Sequence, residues 1–195
     1  MRKRRIISFV FLVGMVVGVG LRGASAQEVA SPTTDLILFF SNADVPNSAQ
    51  QSAPDTLIVT ERSGEVRMRT WIDADQTVKS TLEIPRTPVN ATLTLTVKLI
   101  SISEFAIKGV IQFEDAQRSR LEFESVGTGS FSEEAVIIGG KPFTFGGYVA
   151  RITRATGQFE GMTGSLTDNF WLDVSGGTLD RAIGYQFMVI RLTKR

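Results

Sequence analysis

Between Ala91 and Ser103 the chain alternates strictly: Leu93, Leu95, Val97 and Leu99 share one parity, and Thr92, Thr94, Thr96 and Lys98 share the other. A period of two places these sets on opposite faces of an extended backbone, so the segment predicts a long, half-buried strand and excludes an amphipathic helix. Phe105, Ile107, Ile111 and Phe113 continue the period. Leu121 and Phe123 do the same against Arg118, Arg120, Glu122 and Glu124, four charges that read as a solvated strand face with cross-strand ion pairs. Further strand-type runs occupy 36–40, 56–62, 65–72, 77–84, 131–138, 143–153, 165–175 and 178–193. They are punctuated by the turn signals Ser63-Gly64, Asp73-Ala74-Asp75, Gly139-Gly140 and Gly176-Gly177. No capped window of helical period follows residue 26. About ten closely spaced strands predict an all-β antiparallel barrel or sandwich, and the length of the strands at 91–103 and 178–193 favours the barrel.

The N-terminus predicts export. Arg2 to Arg5 form a basic cluster, Ile6 to Leu21 an apolar run, and Ala24-Ser25-Ala26 a small-residue site, the pattern of a secretory leader cleaved after Ala26. The apolar run is shorter than the roughly 18 to 20 residues of a membrane-spanning helix, so no transmembrane segment is expected in the mature chain. Residues 1–26 carry five of the 21 basic residues and no acidic ones, which leaves 16 Lys and Arg against 20 Asp and Glu, a net charge of −4. Such a mixed, mildly acidic surface carries no footprint for nucleic acid. The expected organisation is a leader at 1–26, a tail, short strand and polar loop at 27–55, and a barrel domain at 56–195 that the strand at 35–40 joins. The location is periplasmic or extracellular.

Two absences narrow the chemistry. The chain contains no cysteine and no histidine. An exported domain without disulfides is held by its core alone, and Ser-His-Asp, Cys-His and histidine-ligated zinc chemistry are ruled out. Asp73-x-Asp75 and Glu133-Glu134 lack the ligand count of a calcium loop, so neither a metal nor a cofactor is expected.

The last two strands permit a register argument. If Gly176-Gly177 forms a two-residue turn, Ser175 faces Thr178 and the numbers of opposed residues sum to 353. Leu166 then faces Phe187, Phe170 faces Ile183 and Val174 faces Leu179 on one apolar face. Asp168 opposite Tyr185 and Arg181 opposite Leu172 intrude on that face. Asp168, Tyr185, Arg181 and Phe170 are thus the candidate cavity-lining residues, with a locally satisfied polar pair as the alternative for the polar members.

The run from Ile152 to Ser165 interrupts strand-type sequence with Gly157, Gly161 and Gly164. It resembles the Gly-Thr-Gly-x-Phe-x-Gly-x-x-Gly signature of the allene oxide cyclase-like and dirigent-like barrels, including exported bacterial members of unknown role. Thr156, Gly157, Phe159, Gly161 and Gly164 match, while Arg154-Ala155 replaces the usual glycine pair before the threonine. Gly127-Thr128-Gly129-Ser130-Phe131 is similar to the strand opening that precedes the motif in such barrels. The resemblance covers roughly residues 125–175. It implies an eight-stranded antiparallel, calycin-like barrel with a central cavity, in which members cyclise a reactive lipid epoxide or steer radical coupling by pocket shape. The matched residues are architectural, so no catalytic residue carries over. The resulting expectation is an exported barrel that binds a small apolar ligand or serves as an envelope module without classical catalysis. The alternative is a cyclase or isomerase that works by pocket shape with carboxylate and tyrosine assistance, needing neither metal nor histidine. A sheet face carrying Trp171 and Met188 leaves homo-oligomerisation open.

Overall fold

The computed structural model describes residues 33–72, 78–83 and 90–194, and the side chains of 33–63 and 90–194. The expected leader with its site at Ala26, the start of the tail and the turn at Asp73-Ala74-Asp75 lie outside the described residues. The strands are β1 (Thr33–Ser41), β2 (Ala49–Ala53), β3 (Thr56–Ile72), β4 (Val78–Glu83), β5 (Ala91–Leu99) and β6 (Glu104–Phe113). They continue with β7 (Arg120–Ser125), β8 (Gly129–Phe131), β9 (Val136–Ile138), β10 (Lys141–Thr156), β11 (Met162–Asp173) and β12 (Ile183–Lys194). Eight of them close an antiparallel barrel in the order β1-β12-β11-β10-β7-β6-β5-β3, sealed by pairing of β3 with β1. Closure leaves the barrel without a free edge. Strands β2 and β4 extend β3, β9 lies on β10, and β8 bridges β10 and β6. Among the described residues no helix is long and apolar enough to cross a membrane.

The alternation on β5 is realised: Ala91, Leu93 and Leu95 point into the barrel, and the intervening threonines do not. The charged strand face behaves as the pattern implies, with Arg151 on β10 paired to Glu124 on β7 and both Arg120 and Arg154 against Glu122. Gly139-Gly140 makes the expected tight hairpin, with φ of 58° and 81° and Ile138 facing Lys141. Positive φ at both central residues matches the right-handed twist of the flanking strands.

Four expectations about strands are corrected. Ser63-Gly64 is not a turn, because β3 runs unbroken through it while its neighbours change from β5 to β4. The polar stretch read as loop contains β2, an Ala-Gln-Gln-Ser-Ala edge strand whose ladder with β3 needs no apolar pattern. The run at 131–138 is two strands, β8 and β9, separated by a bend at residues 132–135. Finally, β11 and β12 pair with numbers that sum to 356, so that Leu166 faces Ile190 and Phe170 faces Gln186. Gly176-Gly177 belongs to a longer connection with a 3-10 turn at Leu179–Arg181. An odd register difference reverses the face of every β12 side chain.

The glycine motif closes one end of the barrel. Its 3-10 turn, Gly157–Phe159, carries Phe159 into the core, where its ring lies 5.1 Å from that of Phe113. Gly157 has a φ of 67°, which glycine adopts without strain. The Ser119 hydroxyl accepts the Gln158 N–H at 2.9 Å, and Asp115 accepts from Ser119 N–H at 2.7 Å and from the Gln158 amide at 3.0 Å. At Gly164 any Cβ would collide with the Arg191 carbonyl. At the opposite end, the mouth, Leu99 faces Phe105 and Asp173 faces Ile183. Ile100, Ile102, Val126 and the β9 residues Val136, Ile137 and Ile138 stand exposed around it.

Candidate functional site

From the motif end to the middle, Leu192, Ile190, Ile111, Leu121, Leu93 and Phe123 fill the interior. Toward the mouth the filling stops, and a cavity of about 70 Å³ opens between β3, β5, β6, β10, β11 and β12. That is several times the roughly 15 Å³ one water needs and about half the roughly 150 Å³ that holds a benzene. One wall is aromatic: Phe105, Phe131 and Phe170 form a triangle with ring centroids 4.6 to 5.7 Å apart. Gly146, opposite Phe170 on β10, makes this possible, since a side chain there would occupy the space of the Phe170 ring. Leu95, Val97 and Leu172 contribute to the apolar lining.

The deeper side of the cavity is polar. Inward parity on β3 runs Leu57, Val59, Glu61, which brings a carboxyl into the lining. Tyr148 on β10 and Gln186 on β12 also line it, while Asp168 sits directly opposite Tyr148 on β11. All four are buried, with exposures of 1% for Glu61, 5% for Tyr148, 4% for Gln186 and 0% for Asp168. Gly184 makes room for Glu61: a Cβ there would lie 3.0 Å from Glu61 Oε1. Asn42 braces the rim, its Oδ1 accepting the Gly184 N–H at 2.7 Å and its amide donating to the Ala182 carbonyl at 3.2 Å.

Unlike Asn42, the other polar groups are poorly satisfied. Glu61 Oε2, the Tyr148 hydroxyl, both Asp168 carboxyl oxygens and Gln186 Oε1 are buried without a hydrogen bond of normal geometry. Tyr148 and Asp168 are near enough to influence each other's ionisation, yet no well-formed bond joins them. Burial dominates their protonation. It pushes the Glu61 carboxyl up to about 7 against the opposing pull of the Gln186 amide. Burial, reinforced by nearby Glu61, pushes Asp168 well above the usual carboxylate range. The Tyr148 hydroxyl is likewise raised by burial and by the neighbouring Asp168 and Glu61. The cavity thus couples apolar walls to a cluster of hydrogen-bonding oxygens, one of which exchanges its proton near neutrality.

The four residues singled out from the sequence separate here. Phe170 lines the cavity, and Asp168 is buried beside it without contributing to its lining. Tyr185 faces outward, stacked on Trp171 with centroids 5.6 Å apart and near Phe39 at 6.4 Å. Arg181 is exposed in the 3-10 turn of the β11–β12 connection. The tyrosine near Asp168 is therefore Tyr148, and Met188, not Tyr185, faces Asp168 on β12. Met188 is itself fully buried, so it does not share an outer face with Trp171. Sequence reasoning did not place Glu61, Tyr148 or Gln186 in the site, although Tyr148 is one of the two tyrosines to which a chain without histidine must look for acid–base chemistry. Their signal was parity: each occupies the position in its strand that alternates with outward residues, as in Tyr148, Ala150, Ile152 and in Gln186, Met188, Ile190, Leu192. Among the described residues no three or more Asp or Glu side chains gather as a metal site would require.

Compared with known proteins, the chain matches no family model, no curated protein and no solved structure.

Proposed function

We propose that this chain is an exported barrel of the allene oxide cyclase-like or dirigent-like kind, which holds a small ligand with an apolar body and a polar head in its mouth cavity. The observation that carries this reading is the conjunction of an apolar, aromatic-walled cavity with buried polar side chains that line it and present oxygens without a hydrogen bond of normal geometry. Buried polar groups are ordinarily satisfied, and leaving one unmade costs about 1–3 kcal/mol. A ligand head, or water in its absence, supplies the missing bonds. The size of the cavity favours a short chain over a ring or an extended lipid.

The reading is tested by methyl NMR during titration with n-butanol. Methyl resonances of Leu95 and Leu172, which line the cavity, shift, while those of Leu121 and Leu192 at the motif end stay fixed. Val97→Phe, which fills the cavity, abolishes the shifts. Perturbation spread evenly over both ends, or none at all, contradicts the reading.

One observation favours a second reading, a cyclase or isomerase. Glu61 lines the cavity with a pKa near 7, where a carboxyl donates and accepts a proton with comparable ease. In that case Glu61→Gln removes turnover while ligand binding persists.

A further inference from the structure

The unpartnered atoms have one chemistry in common. Glu61 Oε2, Asp168 Oδ1 and Oδ2, Gln186 Oε1 and the Tyr148 hydroxyl are all oxygens. An ionised carboxylate or an amide oxygen only accepts; the donors at hand are the Gln186 amide, which serves Glu61, the Tyr148 hydroxyl and the proton that burial keeps on Asp168. No lysine or arginine is buried among the described residues, and the Asn42 amide is already committed to the Ala182 carbonyl. Among the described residues the lining therefore holds more acceptors than donors, and no positive charge.

From this juxtaposition we infer that the mouth cavity selects a small primary ammonium carried on a short apolar chain, with its head between Glu61, Gln186 and Tyr148 and its tail against Phe105, Phe170 and Leu95. The inference rests on the ligand-binding reading above and names its ligand class. An –NH₃⁺ group brings three donors on one atom and a charge opposite to that of ionised Glu61. The apolar walls keep water away, so the attraction acts in a medium that screens it weakly. An alcohol brings one donor and no charge. A carboxylate brings no donor and a charge of the wrong sign. A hard metal ion is a poor fit, because it needs about six oxygens and the remaining lining is mainly hydrocarbon.

The test compares n-butylammonium, n-butanol and n-butyrate at pH 7.5, following the methyl resonances of Leu95 and Leu172 in the intact protein. The expected result is that butylammonium binds at least tenfold more tightly than butanol and that butyrate does not bind. In Glu61→Gln the preference for the amine over the alcohol falls below threefold. Butanol binding as tightly as the amine, or butyrate binding best, overturns the ammonium assignment and leaves the ligand-binding reading standing. No response to any of the three overturns both. The selectivity of the unmodified protein decides the question even if Glu61→Gln does not fold, and a folded Glu61→Gln that keeps a tenfold preference also counts against the assignment.

Discussion

Glu61 shows what one residue on the inward parity of a strand does to a barrel. Its carboxyl is held near pKa 7, against 4.5 for a free glutamate, mainly because burial penalises the charged form. The unfolded chain therefore releases this proton at lower pH than the folded one. The contribution to stability is full below about pH 4.5 and is lost as pH rises through 7. Shifts of this size correspond to about 2–3 kcal/mol lost between pH 5 and 8. Asp168, raised by burial and by Glu61, acts with the same sign. Asp173 acts with the opposite sign. The Ser175 hydroxyl and N–H, and then Lys141, hold it at about 2, so its contribution is present above pH 4 and disappears as pH falls toward 2. Denaturant melts between pH 2 and 8.5 should accordingly show greatest stability near pH 4–5, and Glu61→Gln should flatten the decline above pH 5. A profile that is level or rising from pH 5 to 8 is incompatible with Glu61 buried as described.

At the level of elements, the glycine motif and the mouth divide the labour of the barrel. The motif's 3-10 turn inserts Phe159 against Phe113 and seals one end. Truncating a buried phenylalanine costs about 3–5 kcal/mol. Phe159→Ala should lose an amount in that range in urea melts while leaving the response of Leu95 and Leu172 to n-butanol unchanged, because the plug and the cavity lie at opposite ends. A loss of binding without a loss of stability would place the motif in the site rather than in the scaffold. The same elements show what sequence can and cannot disclose. Strand β5 was legible because only one of its faces is apolar. The partner face of β12 was not, because Ile183, Tyr185, Phe187 and Val189 face out while Met188, Ile190 and Leu192 face in. With apolar residues on both faces, alternation does not choose a register. The glycine pair suggested a tight turn where the chain instead forms a 3-10 turn at Leu179–Arg181. That odd slip moved Tyr185 from the interior to the outer face and hid Gln186.

For the whole molecule, a closed eight-stranded barrel has just enough interior to be filled by its own side chains or to spare room for one small ligand. This chain does both, filled at the motif end and open toward the mouth. The all-β class followed from strand periodicity and the barrel from strand length, while the architectural role of Gly157 and Phe159 followed from the glycine motif and its resemblance. The cavity did not, because it depends on which inward residues meet across strands distant in sequence, such as Glu61 on β3 with Gly184 and Gln186 on β12. Xenon under pressure in crystals of the protein probes that division most directly, since xenon enters apolar cavities independently of any head group. The account predicts a single strong xenon site between Phe105, Phe170, Leu95 and Val97 and none near Phe159. Xenon bound at the Phe159 end, or absent from the mouth, would contradict it.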